Sequence, residues 1–334
     1  MRLLPRVIES ARKLLARVSG KDLDSAAQGM PSPVRCSGGP ERSPKASVVL
    51  ITHNQEQFCC QALQSILDQA ADFDIEIIIA DDASTDRTVA MLSDLAGDRP
   101  GIRFLPQERR LGTTRNYRRA FESCRGEYVA VLEGDDYWTA PAKLADQIAV
   151  LDAHKDLGMV FSPMVVRHEG SGRTSIRPTI DPARLIDGIA HIGPADLARS
   201  NIIGNFSACV YRRSTIAQIP PEFYQSTAFD WLFNIYCGEI AAIGCLPGVR
   251  SVYRQHKGGQ WSRLHRADKL RLTISAINRY DRLTQRRYHT EFMLHKARLE
   301  AQLRAVRRRT GWNLKRAKGG LGDVLVWSFS RFFR

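Results

Sequence analysis

The hydrophobic pattern of the chain changes period repeatedly from residue 47 onward. Residues 47–52 (SVVLIT) form a short β-branched run without polar alternation, as in a strand buried on both faces, and residues 55–69 then place Phe58, Ala62, Ile66 and Leu67 at helical spacing. The unit repeats. Residues 74–80 (DIEIIIA) read as a second strand, 86–95 as a helix, 102–105 as a third strand, 113–124 as a helix and 127–132 (EYVAVL) as a fourth strand. Strands alternating with helices predict an α/β fold: a Rossmann-like, mostly parallel sheet with flanking helices, whose ligands sit beyond the carboxyl ends of the strands.

The two ends follow other patterns. In residues 1–20, apolar positions such as Leu3, Val7, Ile8 and Leu14 recur at helical spacing with Arg2, Arg6, Arg12, Lys13 and Arg17 between them, which predicts a basic amphipathic helix. It suits an anionic membrane surface or a dock on its own domain or a partner. Residues 21–45 have the Gly and Pro content of a linker. Residues 46–262 hold the strand and helix alternation, and 263–334 form a basic helical C-terminal extension whose last residues mix Trp327, Phe329, Phe332 and Phe333 with Arg331 and Arg334. Aromatic and basic side chains together suit a membrane interface, with an RNA-binding tail or a helix pair in a dimer as alternatives.

Composition refines this picture only through charge. The chain has 334 residues, 43% of them hydrophobic, enough for a well-buried core, and a net charge of +14. Residues 1–45 hold 9 basic and 4 acidic side chains, residues 46–260 hold 21 and 26, and residues 261–334 hold 19 and 5. The middle is acidic, so nucleic acid is disfavoured as its partner. Seven cysteines without CxxC or Cys/His spacing read as reduced thiols. No apolar run approaches the ~20 residues of a membrane span, and no signal peptide is evident. The expected location is the cytoplasm, peripheral on the inner face of the cell membrane.

Carboxylates crowd the ends of the expected strands. Thr52-His53-Asn54 follows the first, residues 81–86 (DDASTD) the second and Glu133-Gly134-Asp135-Asp136 the fourth. Helix capping and turn formation account for Ser84 and Asp86. They account less well for Glu133, Asp135 and Asp136, which repel one another unless a cation or donors sit among them. A hard divalent ion, Mn²⁺ or Mg²⁺, is the natural filler.

The runs SVVLITHN, EIIIADDASTDRT, LGTTRNYRRAFE, GEYVAVLEGDDYW and VYRQHKGGQWS, in this order, resemble the family 2 glycosyltransferases of the GT-A fold over about residues 46–262. The resemblance implies an inverting transfer from a nucleotide-sugar donor to a hydroxyl acceptor, such as a lipid-linked glycan in cell-surface polysaccharide or glycolipid assembly. It implies that Thr52, Asn54, Asp81 and Asp82 hold the nucleotide, with Asp81 accepting from a ring N–H, and that Arg115 stands beside the base. Glu133 would reach a ribose hydroxyl. Asp135 is the first choice for the metal and Asp136 the second. His256, in YRQHKGGQW, would ligate the metal or touch the diphosphate, and Trp231 and Trp261 would stack on sugar rings. Asp230 falls where the family places its base, with Glu222 and Glu239 in reserve; a helix N-cap is its alternative role. Competing readings are a sugar nucleotidyltransferase, weakened because no Gly-rich phosphate loop follows the first strand, and a nucleic-acid-binding protein using its basic ends.

Overall fold

The structure is a computed structural model that describes residues 35–36, 43–225 and 230–309. The expected helix at 1–20, most of the linker and the aromatic tail lie outside the described residues.

The expected strands form where the apolar runs lie. β1 (Arg35–Cys36), β2 (Ala46–Thr52), β3 (Asp74–Asp81), β4 (Ile102–Leu105) and β5 (Tyr128–Glu133) run parallel to one another. Both faces of these strands are covered. Val49, Ile78, Val129 and Val131 point into one buried cluster, while Val48, Leu50, Ile77 and Ala130 point into the other. Each such Val, Leu or Ile side chain contributes roughly 1.5–3 kcal/mol by leaving water. That double burial explains why the runs lack polar alternation.

The connecting helices are α1 (Cys59–Leu67), α2 (Thr88–Ala96) and α3 (Thr113–Glu122). α3 buries Asn116, Tyr117, Ala120 and Phe121 on one face, and Asn116 Nδ2 donates to the Ala80 carbonyl at 2.8 Å, tying the helix to the end of β3.

After β5 the chain makes β6 (Tyr137–Trp138), α4 (Lys143–Ala153), β7 (Leu157–Phe161), β8 (Met164–His168) and β9 (Thr174–Arg177). Then come β10 (Leu185–Ile186), β11 (Ile189–Ile192), α5 (Pro194–Arg199), β12 (Cys209–Arg212), α6 (Arg213–Ile216) and α7 (Pro221–Gln225). α8 (Asp230–Ile240), β13 (Ala242–Cys245), β14 (Ser251–Gln255), α9 (Arg266–Leu283) and α10 (His289–Arg309) complete the described chain. The large sheet has the order β1-β3-β2-β5-β12-β7-β13-β11-β10, with β4 also beside β3. β12 lies antiparallel between β5 and β7.

A second sheet, β6-β14-β8-β9, sits directly after the acidic motif. The pairing of Val252 with Tyr137 brings the segment after β14 alongside that motif.

The first 47 residues of the expected C-terminal extension are not a separate appendage. Ile277, Tyr280 and Phe292 of α9 and α10 are buried in the same cluster as Val49 and Val131, so the packing continues across residue 263.

Candidate active site

The turns after β2 and β3 hold each other. Thr52 Oγ1 donates to Asp81 Oδ2 at 2.7 Å, and Ser84 donates to the same carboxylate through its N–H at 2.7 Å and its hydroxyl at 2.5 Å. The Asn54 N–H donates to Ser84 Oγ, and Asn54 Oδ1 accepts from the Thr85 N–H, both at 2.8 Å. Asn54 has φ +52°, a conformation that Asn tolerates better than most residues. Thr52 and Asn54 line a large cavity; Asp81 does not, because both of its oxygens are committed to the turn.

Asp82 reaches the wall but spends its carboxylate on the next loop. Gln107 Nε2, the Leu111 N–H and the Gly112 N–H donate to it at 2.8, 2.7 and 3.0 Å, and Arg110 Nε stands 3.5 Å away. Arg115 is exposed on α3 and off the cavity wall, whereas Arg110 lines it. Helical spacing turns Arg115 outward because Asn116 and Tyr117 take the buried face.

At the end of β5 the three carboxylates come together. Ligand oxygens of Glu133, Asp135 and Asp136 lie within 4.8 Å of one another. Asp136 is fully buried, and it is held by Asn205 Nδ2 at 2.9 Å, Ser207 Oγ at 2.7 Å and the Arg254 N–H at 2.9 Å. Those donors leave it off the cavity wall, so it braces the motif. Glu133 accepts from Tyr117 Oη at 2.9 Å and Asn205 Nδ2 at 3.2 Å. Burial first, and the neighbouring acids second, push the Glu133 and Asp136 carboxyls above their ordinary range.

Asp135 faces the cavity, and His256 Nε2 stands 3.0 Å from its Oδ2. β14 delivers this histidine. Arg254 donates through Nη1 to the Asp135 carbonyl at 2.8 Å and packs its guanidinium 4.3 Å from the Tyr137 ring centroid, while the His256 ring meets Phe58 edge-on at 4.6 Å. A Cβ at Gly259 would stand 3.3 Å from His256 Nε2, so a glycine there leaves the imidazole its room. Hard oxygen donors at this spacing, crowded enough to disfavour ionisation, fit a divalent cation held by Asp135 with Glu133 and His256 at hand.

Asp230, the first described residue of α8, lies on the wall of the same cavity. Its Oδ2 is buried and has no hydrogen-bond partner among the described residues. Burial raises this carboxyl above its ordinary range, against the pull of the Arg177 guanidinium. The adjacent Trp231 also borders the cavity but is mostly core: it is 4% exposed, donates from Nε1 to the Leu197 carbonyl at 2.7 Å, and meets Tyr280 and His295 at 5.3 Å each. Trp261, 38% exposed, does line the cavity. Glu222 and Glu239 do not, and Glu239 pairs with Arg287 at 2.8 Å.

The cavity measures about 1370 Å³ and joins these groups, from Thr52 and Asn54 through Glu133 and Asp135 to Asp230 and Trp261. Asn205, Ser207, Tyr117 and Arg254, which organise the acids, carry no signal of that role in the sequence beyond the position of Arg254 in YRQH.

Comparisons with known proteins bear on the family and the fold. The family model described as glycosyl transferase family 2 matches residues 47–217. An uncharacterized protein of Mycobacterium tuberculosis is 34% identical over 219 residues, 64% of this chain and 60% of that protein. The GalNAc(5)-diNAcBac-PP-undecaprenol beta-1,3-glucosyltransferase of Campylobacter jejuni is 27% identical over 197 residues, 58% of this chain and 60% of its own length. The chain thus spans about three fifths of the length of these relatives. In fold it is similar to S. aureus TarS 1-349 in complex with UDP-GlcNAc, with a TM-score of 0.52, 21% identity and coverage of 83% of this chain and 77% of that one. It is also similar to the mannosyltransferase PcManGT from Pyrobaculum calidifontis in complex with GDP-Man and Mn2+, with a TM-score of 0.55, 16% identity and coverage of 98% and 89%. The chain belongs to glycosyl transferase family 2 and is built on the GT-A fold.

Proposed function

We propose that the enzyme transfers a sugar, with inversion, from a nucleoside diphosphate donor to a hydroxyl acceptor on a lipid-linked glycan, in cell-surface polysaccharide or glycolipid assembly at the cytoplasmic face of the membrane. The observation that carries this reading is that Asp135 and Asp230, from distant parts of the chain, both line one cavity. The turn built by Thr52 and Asn54 forms the nucleotide end, with Arg110 beside it. Asp135, with His256 at 3.0 Å and Glu133 close by, would hold Mn²⁺ or Mg²⁺. When bound, such an ion neutralises charge on the departing diphosphate.

Asp230 supplies the base. Its unpartnered Oδ2 accepts the acceptor's hydroxyl proton as the oxygen attacks the anomeric carbon, and its raised affinity for protons makes it a better base than an exposed aspartate. Trp231, locked in the core, fixes where that carboxylate stands. Undecaprenyl diphosphate in the name of the Campylobacter relative, and bound UDP-GlcNAc or GDP-Man in the structural neighbours, support the donor and acceptor classes.

A thermal-shift panel of UDP-, GDP- and dTDP-sugars with Mn²⁺ tests the donor. At least one should raise the melting temperature more than its free nucleoside does, by mass action on the folded state. A flat response across the panel would overturn the reading.

A further inference from the structure

The cavity has a second wall of opposite charge. Asp268, Arg271, Ser275, Arg279 and Arg282 of α9 line it and recur every three or four residues, so they form one stripe roughly 20 Å long on the helix. α10 adds Arg307 to the same cavity. These two helices thus bring four arginines and one carboxylate, Asp268, to the cavity, and Asp268 pairs with Arg271 at 2.7 Å. Leu264, Leu272, Ala276 and Trp261 line the cavity beside them and give the charged stripe an apolar border.

This wall adjoins the base. Trp231, next to Asp230, packs on Tyr280, whose neighbour Arg279 belongs to the stripe. The carboxylates that would take the metal and donor diphosphate come from β5, while the arginines come from α9 and α10.

We infer that the arginine stripe binds the phosphate group of a lipid-borne acceptor, holding an amphiphilic phosphate ester so that its hydroxyl-bearing end lies toward Asp230. The inference rests on the proposed transfer and deepens it by naming what the acceptor must carry. Guanidinium forks match phosphate oxygens in pairs, and several in one row suit a group with more than one negative charge better than a single carboxylate. The apolar border suits the first part of a hydrocarbon chain, which a free phosphate or a polyol phosphate lacks.

The test measures binding of farnesyl diphosphate, farnesol and inorganic pyrophosphate to the full-length protein by equilibrium dialysis in excess EDTA, which silences metal-dependent diphosphate binding at the acidic end. Farnesyl diphosphate should bind at least about tenfold more tightly than either of the others. Arg279→Gln/Arg282→Gln should weaken it by about tenfold or more, and added salt should weaken it further. Arg282→Gln alone, at an exposed position, should show part of the loss without disturbing the fold. Nucleotide-sugar stabilisation in Mn²⁺ should be unchanged in these variants. Equal binding of farnesol would overturn the role of the phosphate, and equal binding of pyrophosphate would overturn the lipid. Variants that bind as wild type, or that lose the nucleotide sugar by the same factor, would overturn the assignment of the stripe to the acceptor. A protein that binds no nucleotide sugar at all fails the donor panel instead, so the two failures are separable.

Discussion

Burial acts on Asp230 in the direction a base needs, because a shielded carboxylate whose Oδ2 has no hydrogen-bond partner among the described residues holds a proton more readily than one in water. Asp230→Asn keeps the shape and removes the proton acceptor. Turnover should fall by about 10²–10⁴-fold, with the donor dissociation constant unchanged, as measured by paired rate and binding assays. Lys143 provides a separate check on the core. It is fully buried, donates to Gln147 Oε1 at 2.8 Å and lies 4.3 Å from the Trp138 ring centroid, and burial pushes its ammonium down to about 7. A lowered folded-state value means that the penalty of burying the charge is absent above the unfolded value near 10.4, grows as pH falls, and is complete below about 7. Urea unfolding should therefore show the stability of Lys143→Met, relative to wild type, declining as pH rises from 7 toward 10. At this scale the sequence was partly legible. The acids at the strand ends stood out by position, but Asp81, Asp82 and Asp136 look like any neighbouring carboxylates until their donors are known, and those donors lie on other elements.

Elements place these residues through close approach of their ends. The Gly134 N–H donates to the Ile51 carbonyl at 2.8 Å, which clamps the end of β5 to the end of β2. A Cβ at Gly134 would come within 2.6 Å of Thr52 Cγ2, and nearer still to Gln55 Oε1. Gly134→Ala should cost about 1–3 kcal/mol in urea unfolding and raise the donor's KM, because relief of the clash moves Thr52 away from Asp81. The parallel strands and their helices were readable from residue 47 because burial on both faces imposes one period on the strands and helical packing another. The antiparallel insertion of β12 and the second sheet were not readable. Short strands such as Tyr137–Trp138 have no period to detect, and their pairing joins residues more than a hundred positions apart. That pairing is what brings His256 to Asp135.

Across the whole molecule, charge is divided among functions. The described part of the basic extension packs on the sheet's core cluster through Ile277, Tyr280 and Phe292, and it places arginines on the cavity wall, so part of the +14 belongs to the cavity and not to a free tail. No helix among the described residues is long and apolar enough to cross a membrane. Among the described residues the six cysteines from Cys59 to Cys245 are free thiols. The meeting of α9 and α10 with α8 was hidden from the sequence because the amphipathic pattern of a helix says which face is buried, not against what. Donor-dependent chemistry at the acidic end is measured most directly by release of nucleoside diphosphate from a panel of nucleotide sugars, with Mn²⁺ and with chelator. Release from at least one donor, abolished by chelator and by Asp135→Asn, is the predicted result; full release in chelator, or none from any donor, would contradict it.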